Sequence, residues 1–363
     1  MQVAFYAPLK SPNHATPSGD REMARLLMSA LRKAGHQVEV VSELRSFSAS
    51  PAIEEREPIA AAARAEVERL AGLWQTGRKP DLWFCYHPYY KAPDLIGPVM
   101  AAAMDVPYIT AEASYSPRRN ALGWAGTQIL VAEAVRAAAV NLCFTQRDMD
   151  GLASNIPGAR LARLQPFIDT VPFRESSIGH NPHRLVTVAM MRPGDKFRSY
   201  EMLAKALSRI VERPWTLTIV GDGPARNDVQ ALFAAFGDRI QWLGQRNAGD
   251  IAALLRQGGI YVWPGCGEAY GIAYLEAQAA GLPVVAQATA GVPEVVEDGV
   301  TGFLTRDDDV PAYAAAIASL LDDNDLRQSM GARARRFVLE ERSLENAVRQ
   351  LDAVLTQFMG RSR

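Results

Sequence analysis

Short runs of β-branched and aromatic residues recur along the chain, each followed by a longer stretch whose apolar positions repeat with helical period. This alternation predicts buried parallel strands joined by crossover helices. Two series are visible. The first runs through Val3–Tyr6, a helix over about Asp20–Ala34, then Val38–Val41, Leu82–Cys85, Tyr108–Glu112 and Asn141–Phe144. The second runs through Val186–Ala189, a helix over about Tyr200–Val211, then Thr216–Val220, Ile240–Leu243, Tyr261–Trp263 and Val284–Ala286. Between them, Pro166–Pro182 is rich in Pro, Ser and charge without sustained apolar period and reads as a linker. The expected architecture is therefore α/β, two facing Rossmann-like domains over about 1–170 and 171–342 with a cleft between them. Ala52–Leu70, rich in Ala and Glu, reads as a solvated helix.

A length of 363 residues agrees with two cores. A net charge of −1 supplies no global positive field for nucleic acid, so no nucleic-acid partner is expected. The three cysteines, Cys85, Cys143 and Cys266, show no metal-ligand spacing and suit a reducing compartment. The chain opens MQVAFYAPLK and passes straight into a strand, and apolar runs such as Leu95–Met104 are about half the roughly 20 residues that span a bilayer. A cytoplasmic protein, at most peripheral on the inner membrane face, is expected.

The most informative stretch is WPGCGEAYGIAYLE, residues 263–276, where a buried strand runs through three glycines into a helix. Such a turn presents free amides and the positive end of a helix dipole at the carboxyl edge of the sheet, so an anion is the natural guest. Glu268 and Glu276 invite the reading of an acid/base pair. If both were helical they would stand roughly 12 Å apart, too far for the roughly 5–9.5 Å of a glycoside-hydrolase pair. Accepting hydrogen bonds from sugar and ribose hydroxyls suits them better. A solvated helix face is the bland alternative.

The run EAYGIAYLEAQAAG at 268–281, with LPVVA at 282–286 and GVPEVVEDGVTGFL at 291–304, resembles the signature of GT-B-fold retaining glycosyltransferases of the family-4 type. Similar matches are PSGDREMARLLMSALRKAGHQVEVV at 17–41, PFID at 166–169, TIVGDGP at 218–224 and IQWLG at 240–244. The resemblance implies a C-terminal helix, 343–363, that crosses back to the first domain. It implies that Glu268 touches the donor sugar, that Ala269, Tyr270, Gly271 and Ile272 face sugar and diphosphate, and that Glu276 holds the ribose. Base choice would depend on the backbone near Gln245 and Arg246. The segment MMRPGDKFRSY, 190–200, supplies the cations such a diphosphate needs. Arg192 matches the family's Arg. Lys196 fits the following Lys by residue type, whereas counting back from a helix beginning near Tyr200 favours Arg198. The Gly that usually follows that Lys is missing.

In the first half, Gly19 would let a backbone approach a phosphate or an acceptor hydroxyl. Where the family often has a second glycine this chain has Asp20, either an acceptor contact or an ordinary N-cap. The family's sugar-contacting His falls on Ala113, leaving Glu112 and Ser114 as candidate contacts, with His87 in CYHPYY as another. Arg118 and Arg119 would meet an anionic acceptor or lipid headgroup, or simply be solvated. Three signals are set aside: the acidic triplet Asp307–Asp309 as a metal site, His180 and His183 as ligands, and GDGP at 221–224 as a dinucleotide fingerprint.

The resemblance implies a retaining hexosyltransferase of polysaccharide biosynthesis or a related pathway, using a nucleotide-sugar donor, no metal and no cofactor, with a glycan, lipid-linked or small-molecule acceptor. A sugar-nucleotide epimerase of the same fold and a non-catalytic nucleotide-sugar-binding module remain alternatives.

Overall fold

A computed structural model describes residues 1–174 and 181–359. It divides into two units, 1–165 with 344–363 and 166–343. Part of the expected linker, 175–180 with His180, lies outside the described residues. The earlier part of that linker belongs to the second unit, because Ile168 donates its N–H to Arg342 O at 2.9 Å and forms a parallel bridge with Ser343.

The first unit contains strands β1 (Gln2–Tyr6), β2 (Gln37–Val40), β3 (Leu82–Tyr86), β4 (Tyr108–Ala111), β5 (Val140–Cys143) and β6 (Leu161–Arg163). They form one sheet in the order β2-β1-β3-β4-β5-β6, every pair parallel. Helices α1 (Gly19–Lys33), α2 (Ile53–Thr76), α3 (Gly97–Met104), α4 (Ala125–Ala137) and α5 (Gln146–Asn155) cross between them. In α1, Ser18 caps the first turn by accepting from the Arg21 N–H, acidic residues open the helix and Arg32 and Lys33 close it. Its stripe Met23, Leu26, Leu27 and Leu31 is buried.

The second unit repeats the plan with β7 (Arg184–Val188), β8 (Thr216–Val220), β9 (Ile240–Gly244), β10 (Ile260–Val262), β11 (Val284–Gln287) and β12 (Gly302–Thr305). The order is β12-β11-β10-β7-β8-β9, again all parallel. Its helices are α6 (Asp195–Ser208), α7 (Arg226–Leu232), α8 (Ala248–Leu255), α9 (Ile272–Ala279), α10 (Val310–Asp322) and α11 (Asn324–Glu341). The final helix, α12 (Leu344–Met359), belongs to the first unit and packs on α1, as the resemblance implied. Buried strands such as Leu82–Tyr86 read as continuous apolar runs because helices cover both sheet faces.

Three expectations need correcting. The α6 helix begins at Asp195, not near Tyr200, because Gly194 at φ 83° turns the chain directly into it. The α2 helix is not wholly solvated: Ala63, Leu70 and Trp74 enter the core, Trp74 edge-on to Trp83 at 6.3 Å. Two edge strands, β6 and β12, escape the pattern because each is short and only partly apolar.

The α11 helix packs on α9 and the turn after it, where Gly331 leaves no room for a side chain. A Cβ there would lie 2.3 Å from the Gly281 carbonyl oxygen. Gly331→Ala is expected to lower unfolding free energy by about 1–3 kcal/mol, read from the denaturant midpoint at unchanged slope.

Candidate functional site

In both sheets the first strand of the series lies inside the order, so the chain leaves it in opposite directions on its two sides. Loops splay apart at the carboxyl edge of such a seam, and ligands of open α/β sheets bind there. In the second unit the seam lies between β7 and β10. The loops issuing there are 189–194 and 263–271, the two stretches singled out by sequence.

The glycine turn is shaped by Tyr274. This buried side chain donates its hydroxyl to Trp263 O at 3.0 Å, bridging strand and helix. Gly265 and Gly271 lie against it with φ of 75° and 80°, and a Cβ at either would come within 2.1 and 2.6 Å of Tyr274 atoms. Glycine is required at these two positions by both dihedral and space. The α9 helix then starts at Ile272 without a side-chain cap, leaving its first amides for a ligand.

Glu268 stands in this turn and not on the helix, so the axial spacing argument for Glu268 and Glu276 does not apply. Its Oε2 accepts from Lys196 Nζ and from Trp263 Nε1 at 3.4 Å. Lys196 lies in the first turn of α6, 5.5 Å from the Trp263 ring centroid. Ser199, also on α6, accepts the Cys266 amide at 2.9 Å and fastens the turn to that helix. Glu276 is half-buried on α9. Burial, with the Glu276 and Glu268 charges adding to it, drives the Tyr261 hydroxyl well above its ordinary pKa. Both carboxylates therefore bear on one tyrosine.

The two candidate second cations part company. Lys196 meets Glu268, whereas Arg198 is exposed and pairs with Asp308 at 3.3 Å and Asp195 at 3.7 Å. Arg192 is exposed after β7, with no ion pair or hydrogen bond among the described residues. Arg246 is likewise exposed, Ala269 exposed, Tyr270 buried, and Gly271 and Ile272 half-exposed. In the acidic triplet, Asp308 holds Arg198 and Asp309 caps α10 by accepting from Ala312 N at 2.9 Å. In GDGP, Cβ atoms at Gly221 and Gly223 would sit 1.8 Å and 2.2 Å from the carbonyl oxygens of Ala189 and Met191. Those glycines let two loops lie side by side.

In the first unit the seam falls between β1 and β3. Asp20, His87 and Glu112 gather there. His87 follows β3 and Glu112 follows β4, both non-glycine residues at φ 59°. His87 Nδ1 lies 3.2 Å from Asp20 Oδ1, and Tyr86 donates its hydroxyl to Glu112 Oε2 at 2.8 Å. Asp20 is thus no N-cap, a role Ser18 fills. Burial alone would lower the His87 pKa, but Glu112 and Asp20 overcome it and raise it to about 9. Burial raises Glu112 to about 7 against the opposing pull of His87. Asp20 is held below the usual range: burial opposes this, and the His87 hydrogen bond and charge prevail. Gly19 opens α1 with no atom within 4 Å of its Cβ direction, and Ser114 is half-buried beside the cluster, its N–H 3.4 Å from Pro88 O.

Sequence reasoning missed Tyr86, Asp148 and Ser199. Tyr86 carried a signal, the polar end of a buried strand next to His87. Asp148, whose charge acts on both His87 and Glu112, is brought in by α5 and carried none.

Residues 182–323 match the family model described as glycosyl transferases group 1. The chain is 30% identical over 184 residues to an N-acetyl-alpha-D-glucosaminyl L-malate synthase of Bacillus anthracis, covering 50% of this chain but only 47% of that protein. It is 25% identical over 372 residues to a D-inositol 3-phosphate glycosyltransferase of Pseudarthrobacter chlorophenolicus, covering 90% and 88%. Among solved structures it superposes on the Anabaena HepE protein in complex with UDP-glucose at a TM-score of 0.71 and 16% identity, covering 98% and 100%. That likeness shows the fold.

The raised His87 pKa fixes the sign of one pH effect. An imidazole held protonated by the fold contributes stability that is complete below its ordinary 6.5 and lost as pH rises to about 9. Thermal unfolding midpoints are expected to fall across that interval, and the fall to shrink in His87→Gln. An unchanged slope in the variant would refute the charged imidazole.

Proposed function

Because the chain belongs to the glycosyl transferases group 1 family, we propose that it moves a hexose from a nucleoside-diphosphate sugar to a carbohydrate, lipid-linked or small-molecule acceptor, with retention at the anomeric carbon and without a metal. The observation that carries this reading is the seam of the second unit. An uncapped helix start and the Lys196–Glu268 pair lie there at a glycine turn packed against Tyr274, and Arg192, without an ion pair among the described residues, stands on the neighbouring loop. The relatives named as glycosyl-transferring enzymes, and the UDP-glucose held by the Anabaena protein of like fold, support a uridine nucleotide as donor.

On this reading the amides at Gly271 and Ile272 take diphosphate oxygens, Glu276 accepts from the ribose hydroxyls and Glu268 from a hydroxyl of the transferred sugar. Arg192 and Lys196 stand where charge develops as the bond from the anomeric carbon to the phosphate oxygen breaks. The acceptor oxygen forms the new bond on the same face, and its proton passes to the departing phosphate oxygen. Until donor arrives, Glu268 holds Lys196 in place. Asp20, His87, Glu112 and Ser114 would meet the acceptor or the transferred sugar.

A second reading, epimerisation of the donor sugar, is favoured by one observation. A histidine between carboxylates at the first unit's seam is the equipment that proton abstraction and elimination need. Incubation with UDP-hexose in deuterium oxide separates the two. An epimerase incorporates deuterium at a ring carbon, whereas a transferase releases UDP and leaves the sugar unlabelled.

Glu268→Ala is expected to cut acceptor-dependent UDP release by about 10²–10³-fold while UDP still raises the melting temperature. Arg192→Ala should weaken both. The reading fails if no UDP-, GDP- or ADP-linked hexose shifts the melting temperature of the full chain, since a ligand at 100 times its dissociation constant adds about 2.7 kcal/mol.

A further inference from the structure

In the second unit the glycine turn carries Glu268 and the start of α6 carries Lys196, and the two segments meet at successive points. Lys196 pairs with Glu268. Ser199, three residues on and so on the same face of α6, accepts the Cys266 N–H at 2.9 Å. Beside these contacts Gly267 makes room for the Asp195 carboxylate, which a Cβ would approach to 2.4 Å. The far side of the turn is fastened to β11 instead, where Gln287 donates its N–H to Pro264 O at 2.9 Å and accepts the Cys266 thiol at 3.3 Å. Those bonds set the turn on its sheet; only the contacts with α6 set it against Lys196.

The contacts with α6 differ in how long they can last. On the sugar-transfer reading Lys196 turns to the diphosphate and Glu268 to a sugar hydroxyl, so their bond to each other is given up when the donor enters. The Arg198–Asp308 pair ties the same end of α6 to the loop after β12, but both partners are exposed, and pairs of that kind hold little. The Ser199 bond involves no charged group and nothing a ligand would claim. Ser199 and Cys266 are buried, at 0% and 6% exposure. The hydroxyl is used on both sides, since it also donates to Asp195 O at 2.9 Å in the first turn of its own helix. Without it the Cys266 N–H would be left unsatisfied away from water.

We propose that Ser199 is a positioning residue for sugar transfer: its hydroxyl holds the glycine turn against the start of α6 while Lys196 and Glu268 part to take the donor, so that cation and carboxylate close on the same molecule. This rests on the donor reading of the seam and adds to it a residue that touches no substrate. In the free protein the ion pair still joins turn and helix when the hydroxyl is removed, so donor binding survives. In the reacting state nothing then sets the distance between Lys196 and Glu268, and a misplacement of about 1 Å costs on the order of 10²-fold in rate.

The test compares the unaltered full chain with Ser199→Ala, using whichever UDP-, GDP- or ADP-linked hexose raises the melting temperature and reading release of the nucleoside diphosphate. The expected result is a kcat lower by about 10–100-fold with the donor KM nearly unchanged, as for an interaction needed only in the reacting state. In a Lys196→Ala background the same substitution should cost far less, because the group it positions is gone. A second readout needs no turnover: alkylation by iodoacetamide, resolved by peptide mass spectrometry. Cys266 should label on the order of tenfold faster in Ser199→Ala, as the loss of one hydrogen bond implies, while the buried Cys85 and Cys143 of the first unit label at unaltered rates. An unaltered kcat, a loss that multiplies with that of Lys196→Ala, an equal rise at all three cysteines or no rise at Cys266 overturns the proposal. A chain that no nucleotide hexose stabilises fails the transfer reading and the positioning role with it, whereas unaltered Cys266 labelling beside normal turnover fails the positioning role alone. Should Ser199→Ala not fold, amide hydrogen exchange in the unaltered chain decides: the Cys266 N–H stays protected when the nucleotide hexose is added, and faster exchange on its addition refutes the tether.

Discussion

Two parallel strands cannot be joined by a tight turn, so each strand in this protein must be followed by a crossover, and every loop that leaves a strand leaves from one edge of its sheet. That constraint organises both units. With β1 and β7 placed inside their sheets rather than at the rim, the crossovers run off in opposite directions and part at a seam. Chain segments far apart in sequence, 189–198 and 263–271 in one unit and residues 20, 87 and 112 in the other, arrive together because the connectivity allows no other exit.

The two seams are built by opposite means. In the second unit the decisive feature is missing bulk: Tyr274 fills the space that side chains at Gly265 and Gly271 would need, and the backbone that remains exposes its amides. Such a place suits an anion, because the uncapped first amides of α9 carry the positive end of its helix dipole. In the first unit the feature is surplus charge. Burying an imidazole and carboxylates is costly in isolation, and the arrangement holds because each charge offsets the desolvation of the next. His87 and Glu112 also sit in left-handed backbone that costs roughly 1–3 kcal/mol each.

The family match lies over 182–323, within the second unit. The departures from the family's pattern lie mainly in the first, at Asp20 and at Ala113, where the structure supplies Asp20 with His87 as partner and sets Glu112 beside them. Donor chemistry, if it follows the proposal, would be the inherited part of this molecule. Acceptor choice would be its own.

Much was legible along the chain because much is local. Strand and helix alternation, the glycine turn and the resemblance carried by residues 268–304 depend on neighbours in sequence, and they give the fold class and the place of Glu268. Helix starts were less legible: Gly194 turns the chain into α6 at Asp195, so counting back from a start near Tyr200 misplaces Lys196 and Arg198 on a loop. What no pattern could supply is partnership. That Lys196 meets Glu268 while Arg198 is drawn off by Asp308, and that Asp20, His87 and Glu112 share one pocket of charge, follow from strand order. Periodicity fixes which face of an element is buried, but charges interact through space, and only the order of strands in each sheet decides which of them are close enough to do so.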